Sequence, residues 1–199
     1  MPRVTDTRDR LLDAGAALFR QQGYTGTGLK EIAAAGAAPM GSLYHFFPGG
    51  KEQLGVEAVT RSGQRYQRLI DLVFDRSEDF PGAVHLWFRL AAEALEKSDF
   101  GDGCPIATVA LETAGTGESL RAACAAVFDA WLDRVTEELV RDGHGLRQAR
   151  SLASFALAAL EGAIVLARTT RDTTHLRQSA THVADTIAAR RAAAGASGE

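Results

Sequence analysis

The sequence predicts an all-α protein: a small N-terminal helical domain followed by a larger helical one. Three observations lead there. Alanine and leucine, the strongest helix formers, dominate the chain. Apolar residues recur at three- and four-residue spacing in one segment after another. Proline occurs only five times, and Pro39, Pro48, Pro81 and Pro105 all fall where such segments start or stop.

The first pattern runs from Thr7 to about Gln22, with Leu11, Gly15, Leu18 and Gln22 along one stripe and Leu12, Ala16 and Phe19 beside it. Thr7 suits an N-cap and Gly23 a stop. Gly15 costs a mid-helix position about 0.5–1 kcal/mol relative to alanine, a cost that close approach of a neighbouring helix offsets. A short second helix is expected after Thr27, whose hydroxyl can cap it, with Leu29, Ile32 and Ala33 on its buried edge. Gly36 to Ala38 turns the chain. A third helix opens with Pro39, continues through Phe46 and stops at Pro48-Gly49-Gly50. Two short helices across a three-residue turn make a helix-turn-helix. Longer helices are expected over Lys51 to about Asp75, Pro81 to about Lys97, Glu118 to Arg141, Leu146 to Arg171 and Thr174 to Ala192, with a short apolar one over Pro105 to Thr113. The division falls near Pro48 to Lys51: residues 1–50 form the first domain, 51–192 the second, and 193–199 a disordered tail.

Composition limits the function classes. With 46% hydrophobic and 24% charged residues the chain is an ordinary globular one. The net charge of −3 excludes a strongly basic, non-specific nucleic-acid binder. Charge is nevertheless local: residues 1–51 carry six basic side chains against four acidic ones. Met1 to Arg10 has no apolar signal segment, and Ala156 to Ala167, interrupted by Glu161 and Gly162, is too short to span a bilayer. A soluble cytoplasmic protein without a membrane partner is expected. Cys104 and Cys124 fit a reducing compartment, and no Cys/His cluster suggests a metal. No cofactor is expected.

The informative stretch reads GYTGTGLKEIAAAGAAPMGSLYHFFPGGKEQL. From Thr7 to Leu54, with ALFRQQGY closing its first helix and GSLYHFF as its third, the chain resembles the DNA-binding domain of the TetR family of bacterial regulators. The PGGKEQL junction and GCPIATVALE resemble the LmrA/YxaF-like branch of that family. The resemblance implies a dimeric repressor of double-stranded operator DNA, released by a small molecule. Thr27 and Lys51 match family positions that touch the DNA backbone; Thr27 is a helix cap on either reading. In the third helix Leu43 and Phe47 should face the core, leaving Met40, Gly41, Ser42, Tyr44 and His45 for groove and backbone contacts, with Ser42 and Tyr44 mainly on phosphate. Many relatives carry a basic residue where Met40 stands. Met40 is open to two readings, a base contact or an idle side chain. Without Arg, Asn or Gln in this helix, strong bidentate base reading cannot be its main device, and part of the specificity is expected to rest on DNA shape.

The second domain holds Trp87, Phe88, Phe128, Trp131 and Phe155, with Cys104, Ile106 and Leu111 among them. These eight describe either the wall of a pocket for a small hydrophobic effector or a plain bundle core. The LmrA-like resemblance supports the pocket and a planar or amphipathic ligand, with His85, Glu112 and Glu161 as candidate polar anchors. A homodimer through the last two helices is expected, using Leu176, Ala180, Val183 and Ile187 and a small-residue face at Ala156, Ala159, Ala163 and Ala167. Effector binding would alter the spacing of the two recognition helices, with the long helix after Lys51 as lever.

Three other functions are weighed. An enzyme with Cys104 as nucleophile and His85 as base has no supporting GxSxG, P-loop, HExxH or dinucleotide motif. A thiol switch through Cys104 and Cys124 lacks an activating charge pattern. A ligand-sequestering helical protein leaves the helix-turn-helix unexplained.

Overall fold

The computed structural model describes residues 4–112 and 117–196, and every regular element among them is helical. In chain order these are α1 (Val4–Gln22), α2 (Leu29–Ala35), α3 (Met40–Phe46), α4 (Gly50–Asp75), α5 (Phe80–Lys97), α6 (Ala107–Ala110), α7 (Glu118–Arg141), α8 (Leu146–Thr170) and α9 (Thr174–Ala196). The bounds of α7 coincide with those read from the sequence. The apolar stretch after Pro105 is helical only over α6, with turns on either side, and Thr113, its expected end, lies outside the described residues. α9 runs past Ala192 to Ala196, into the stretch expected as a tail; residues 197–199 lie outside the described ones.

By packing, the chain forms two compact units, one of Met1–Arg65 with Cys104–Phe128 and one of Tyr66–Gly103 with Asp129–Glu199. The sequence reading divides the chain after residue 50; packing also gathers the first four turns of α4 and the segment 104–128 into the first unit.

In the first unit Leu11, Leu12, Phe19, Ile32, Leu43, Phe47, Leu54, Ile106 and Leu120 are buried. A Cβ on Gly15 would stand 2.6 Å from Leu54 Cδ2, so the glycine that weakens α1 lets α4 lie close against it.

In the second unit α9 packs on α5 and α8. Asp79 caps α5 by accepting from the Gly82 N–H at 2.7 Å. Leu176, Ala180, Val183 and Ile187 are buried inside this unit, as are Ala156, Ala163 and Ala167, and Ala159 is half-buried. The two stripes expected at a dimer contact therefore close on their own chain. Apolar periodicity marks a covered face without saying what covers it, and here α5, α8 and α9 cover one another. The outer face of α8 instead leaves Phe155, Val165 and Leu166 43%, 56% and 51% exposed.

α8 also changes a second expectation. Its 25 residues, with a mean hydropathy of 1.5 in the most apolar window, are long and apolar enough to cross a membrane. The helix continues beyond Ala156 to Ala167 at both ends. Its buried face of Leu152, Ala156, Leu157, Leu160 and Ala163 belongs to the core of the second unit.

Candidate nucleic-acid interface

The first unit builds its reading surface from the core outward. α1 packs on both α2 and α3. α2 starts at Gly28, whose N–H meets the Glu31 carboxylate at 3.5 Å. Thr27 does not cap it. Its hydroxyl donates to the Gly23 carbonyl at 2.7 Å and receives Gln22 Nε2 at 3.3 Å, and the residue is buried. This corrects the capping role of Thr27: its hydroxyl is spent inside the α1–α2 turn, and Gly28 is the N-cap of α2.

α3 begins after Pro39, which is the N-cap rather than the first helical residue. Ser42 and Leu43 return their N–H groups to the Pro39 carbonyl at 3.0 and 3.3 Å. Leu43 and Phe47 are fully buried, and the Phe47 N–H closes the helix on the Leu43 carbonyl at 2.8 Å. Arg8 stands 5.4 Å over the Phe47 ring and pairs with Glu57. With that side anchored, Tyr44 is 53% exposed, His45 is exposed and lies edge-on to Phe46 at 5.0 Å, and Met40 and Ser42 are half-exposed. Gly41 is exposed at the start of the same face. A Cβ there would meet nothing of this chain, and the same holds for exposed Gly28 at the start of α2. Gly28 is a feature the sequence reading passed over. Only its lack of an intrachain steric reason marks it.

Lys51, in the first turn of α4, places Nζ 4.4 Å from the Tyr24 ring centroid and donates to the Thr25 carbonyl at 3.4 Å. Burial lowers its ammonium below the ordinary lysine value, and the Glu112 charge opposes that shift. Burial, with the Glu52 charge behind it, raises the Tyr24 hydroxyl. Other N-terminal cations are spent internally: Arg10 bonds Asp6 and the Gly36 carbonyl, at 2.8 and 3.0 Å. Lys30 on α2 is exposed, and Arg3 lies outside the described residues.

The expected effector residues divide between the units. Cys104, Ile106, Leu111 and Phe128 belong to the first, and Trp87, Phe88, Trp131 and Phe155 to the second. Ile106 and Cys104 are buried, whereas Leu111 is 81% exposed and Phe128 is half-buried. Trp87 and Phe88 are buried edge-to-face at 6.4 Å, and Trp131 is buried 5.8 Å from Tyr66. Phe88 and His85 line an α5/α9 groove of about 610 Å³ with Arg89, Glu93 and Arg177. Phe155 lines an α8/α9 groove of about 760 Å³ with Arg147, Ser151, Thr186 and Arg190. Of the remaining polar anchors, Glu112 accepts from the Thr25 N–H at 2.5 Å and Glu161 is half-exposed on α8. Neither cysteine is in a disulfide. Cys104 Sγ accepts from the Ala107 N–H at 3.4 Å, and burial pushes the Cys124 thiol up to about 11, away from the reactive thiolate.

A helix-turn-helix with an exposed aromatic-polar face, joined to a larger helical unit, defines a DNA-binding regulator. Comparison with known proteins identifies the family. Residues 11–58 match the bacterial regulatory proteins of the tetR family, and residues 82–182 match the C-terminal domain of LmrA/YxaF-like transcriptional regulators. The HTH-type transcriptional regulator YxaF of Bacillus subtilis (strain 168) is 37% identical over 171 residues, covering 86% of this chain and 90% of that one. LmrA of the same strain is 31% identical over 182 residues, covering 92% and 97%. Among solved structures, reduced NemR of E. coli superposes with a TM-score of 0.77 at 26% identity, covering 89% of this chain and 95% of that one. The chain belongs to the TetR family, in its LmrA/YxaF-like branch, and is a DNA-binding transcriptional regulator rather than an enzyme.

Proposed function

We propose that the chain is a cytoplasmic, effector-released repressor that grips a palindromic operator as a homodimer. The observation that carries this is α3: Leu43 and Phe47 are buried while Tyr44 and His45 stand outward on the same short helix. Such a helix can enter a major groove, where Gly41 allows close backbone approach, Ser42 and Tyr44 bond phosphate, and Met40 offers apolar contact to a thymine methyl. Lys51 adds a phosphate contact from the start of α4.

Two copies are required to read an inverted repeat. The outer α8 face of Phe155, Val165 and Leu166 supports that pairing through the last two helices. A small hydrophobic effector is the second partner. Trp87 and Trp131, large buried rings of the second unit, are its proposed contacts, with Phe88 of the same unit as a further wall residue. Cys104, Ile106 and Phe128 leave that set because they belong to the first unit, Leu111 because it also faces solvent, and Phe155 because it belongs to the α8 outer face. Release requires only that the effector favour one spacing of the reading helices, a coupling of about 1–3 kcal/mol.

Selection of bound duplexes from a random library tests the proposal, followed by ligand screening for release. An inverted repeat occupied by two chains and vacated on addition of an apolar compound is expected. Enrichment of no duplex, or a single chain per site, contradicts it.

A further inference from the structure

Glu112 lies 87 residues from Thr25 and outside the segment 11–58 that matches the family's DNA-binding domain, yet its carboxylate sits in the α1–α2 turn. Gly23 makes the seat. It is buried at φ +81°, and a Cβ there would fall 1.9 Å from Glu112 Oε1. Oε2 accepts from the Thr25 N–H at 2.5 Å. On the other side of the same residue Lys51 donates to the Thr25 carbonyl while its ammonium lies over Tyr24. Glu112 and Lys51 therefore hold the turn at Thr25 from its N–H and its carbonyl. Beyond Thr25 the chain passes through buried Thr27 into α2. A second contact lies close by: a Cβ on Gly117, just before α7, would stand 2.4 Å from the Glu52 carboxylate.

We infer that Glu112 is a positioning residue for DNA binding: as a hydrogen-bond acceptor it fixes the α1–α2 turn, and with it the start of α2 and the Lys51 ammonium. This rests on the reading of α3 and Lys51 as the DNA surface. The role belongs to the acceptor oxygen at full side-chain length, not to the charge, so four residues at this position separate the possibilities. Glutamine keeps the oxygen and the reach, aspartate keeps the charge and loses the reach, and alanine loses both.

The test is fluorescence anisotropy with a duplex enriched by the parent chain, on parent, Glu112→Gln, Glu112→Asp and Glu112→Ala, each checked for an unchanged far-UV melting curve. Glu112→Gln should bind within about threefold of the parent. Glu112→Asp and Glu112→Ala should bind about tenfold more weakly, the effect of losing one hydrogen bond. Thr25 amide exchange should quicken in those two and stay slow in the first. Should the alanine variant not fold, the aspartate variant carries the test. Aspartate binding like the parent, or glutamine binding as weakly as alanine, overturns the inference in favour of a charge effect. Equal binding by all four overturns it outright. A parent that enriches no duplex fails in its own arm, taking down the DNA reading beneath the inference as well.

Discussion

Replacing Phe47 by alanine is expected to loosen the exposed helix from its support. The ring is fully buried, its own N–H closes α3 on Leu43, and the Arg8 guanidinium lies over its face. Losing a buried phenyl group costs about 3–5 kcal/mol, the transfer loss plus the cavity left behind. The Arg8 contact adds only about 0.5 kcal/mol, because an exposed cation over a ring is weakly held. A loss of about 4 kcal/mol is a large share of a net stability of about 5–15 kcal/mol. With a urea slope of about 2 kcal/mol per molar, the midpoint should fall by about 2 M. Far-UV circular dichroism at fixed protein concentration reads it. Trp87 and Trp131 both lie in the second unit, so their emission follows that unit separately. Phe47→Leu, which keeps most of the volume, should lose only about 1.5 kcal/mol. A Phe47→Ala midpoint within about 0.3 M of the parent would refute the claim that this ring anchors α3.

Other outcomes follow from the same structure. Phe155→Asp with Leu166→Asp places charge on the outer α8 face, and sedimentation at micromolar concentration should then show a monomer where the parent shows a dimer; an unchanged dimer removes that face from the interface. Asp79→Ala deletes the α5 cap and should lower Tm by about 2–4 °C, for a cap worth about 1 kcal/mol in a chain of this size. Cys124 is raised from an ordinary value of 9.0 to about 11 by burial, so the folded state favours its neutral thiol. Its contribution to stability is complete below about pH 9 and is lost as pH rises toward 11. Alkylation of Cys124 at pH 8 should therefore require unfolding, and rapid modification of the folded chain contradicts that burial.

What could be read in advance and what could not divides by the range of the interaction. Leu43 and Phe47 are four apart on one short helix, so spacing alone assigns their side, and the structure buries both. Gly15 announces a close helix neighbour, though only the fold shows that the neighbour is Leu54. Thr27 is ambiguous in principle: a threonine at a turn can cap the following helix or bond backward, and here it bonds backward to Gly23. The apolar stripe of α9 is real, but α5 and α8, not a second copy, bury it. The aromatic residues gathered as one pocket separate into two units because composition carries no address. The Glu112 contact with Thr25 spans 87 residues and has no local signature.

Equilibrium binding of a selected operator duplex by Tyr44→Ala and Lys51→Ala, measured across a salt series, bears most directly on the exposed α3 face. Tyr44→Ala should weaken binding about tenfold, and Lys51→Ala should also reduce the salt slope by about one, as expected for one lost phosphate contact. Operator affinity and slope unchanged in both variants would mean that DNA meets a different surface of this chain.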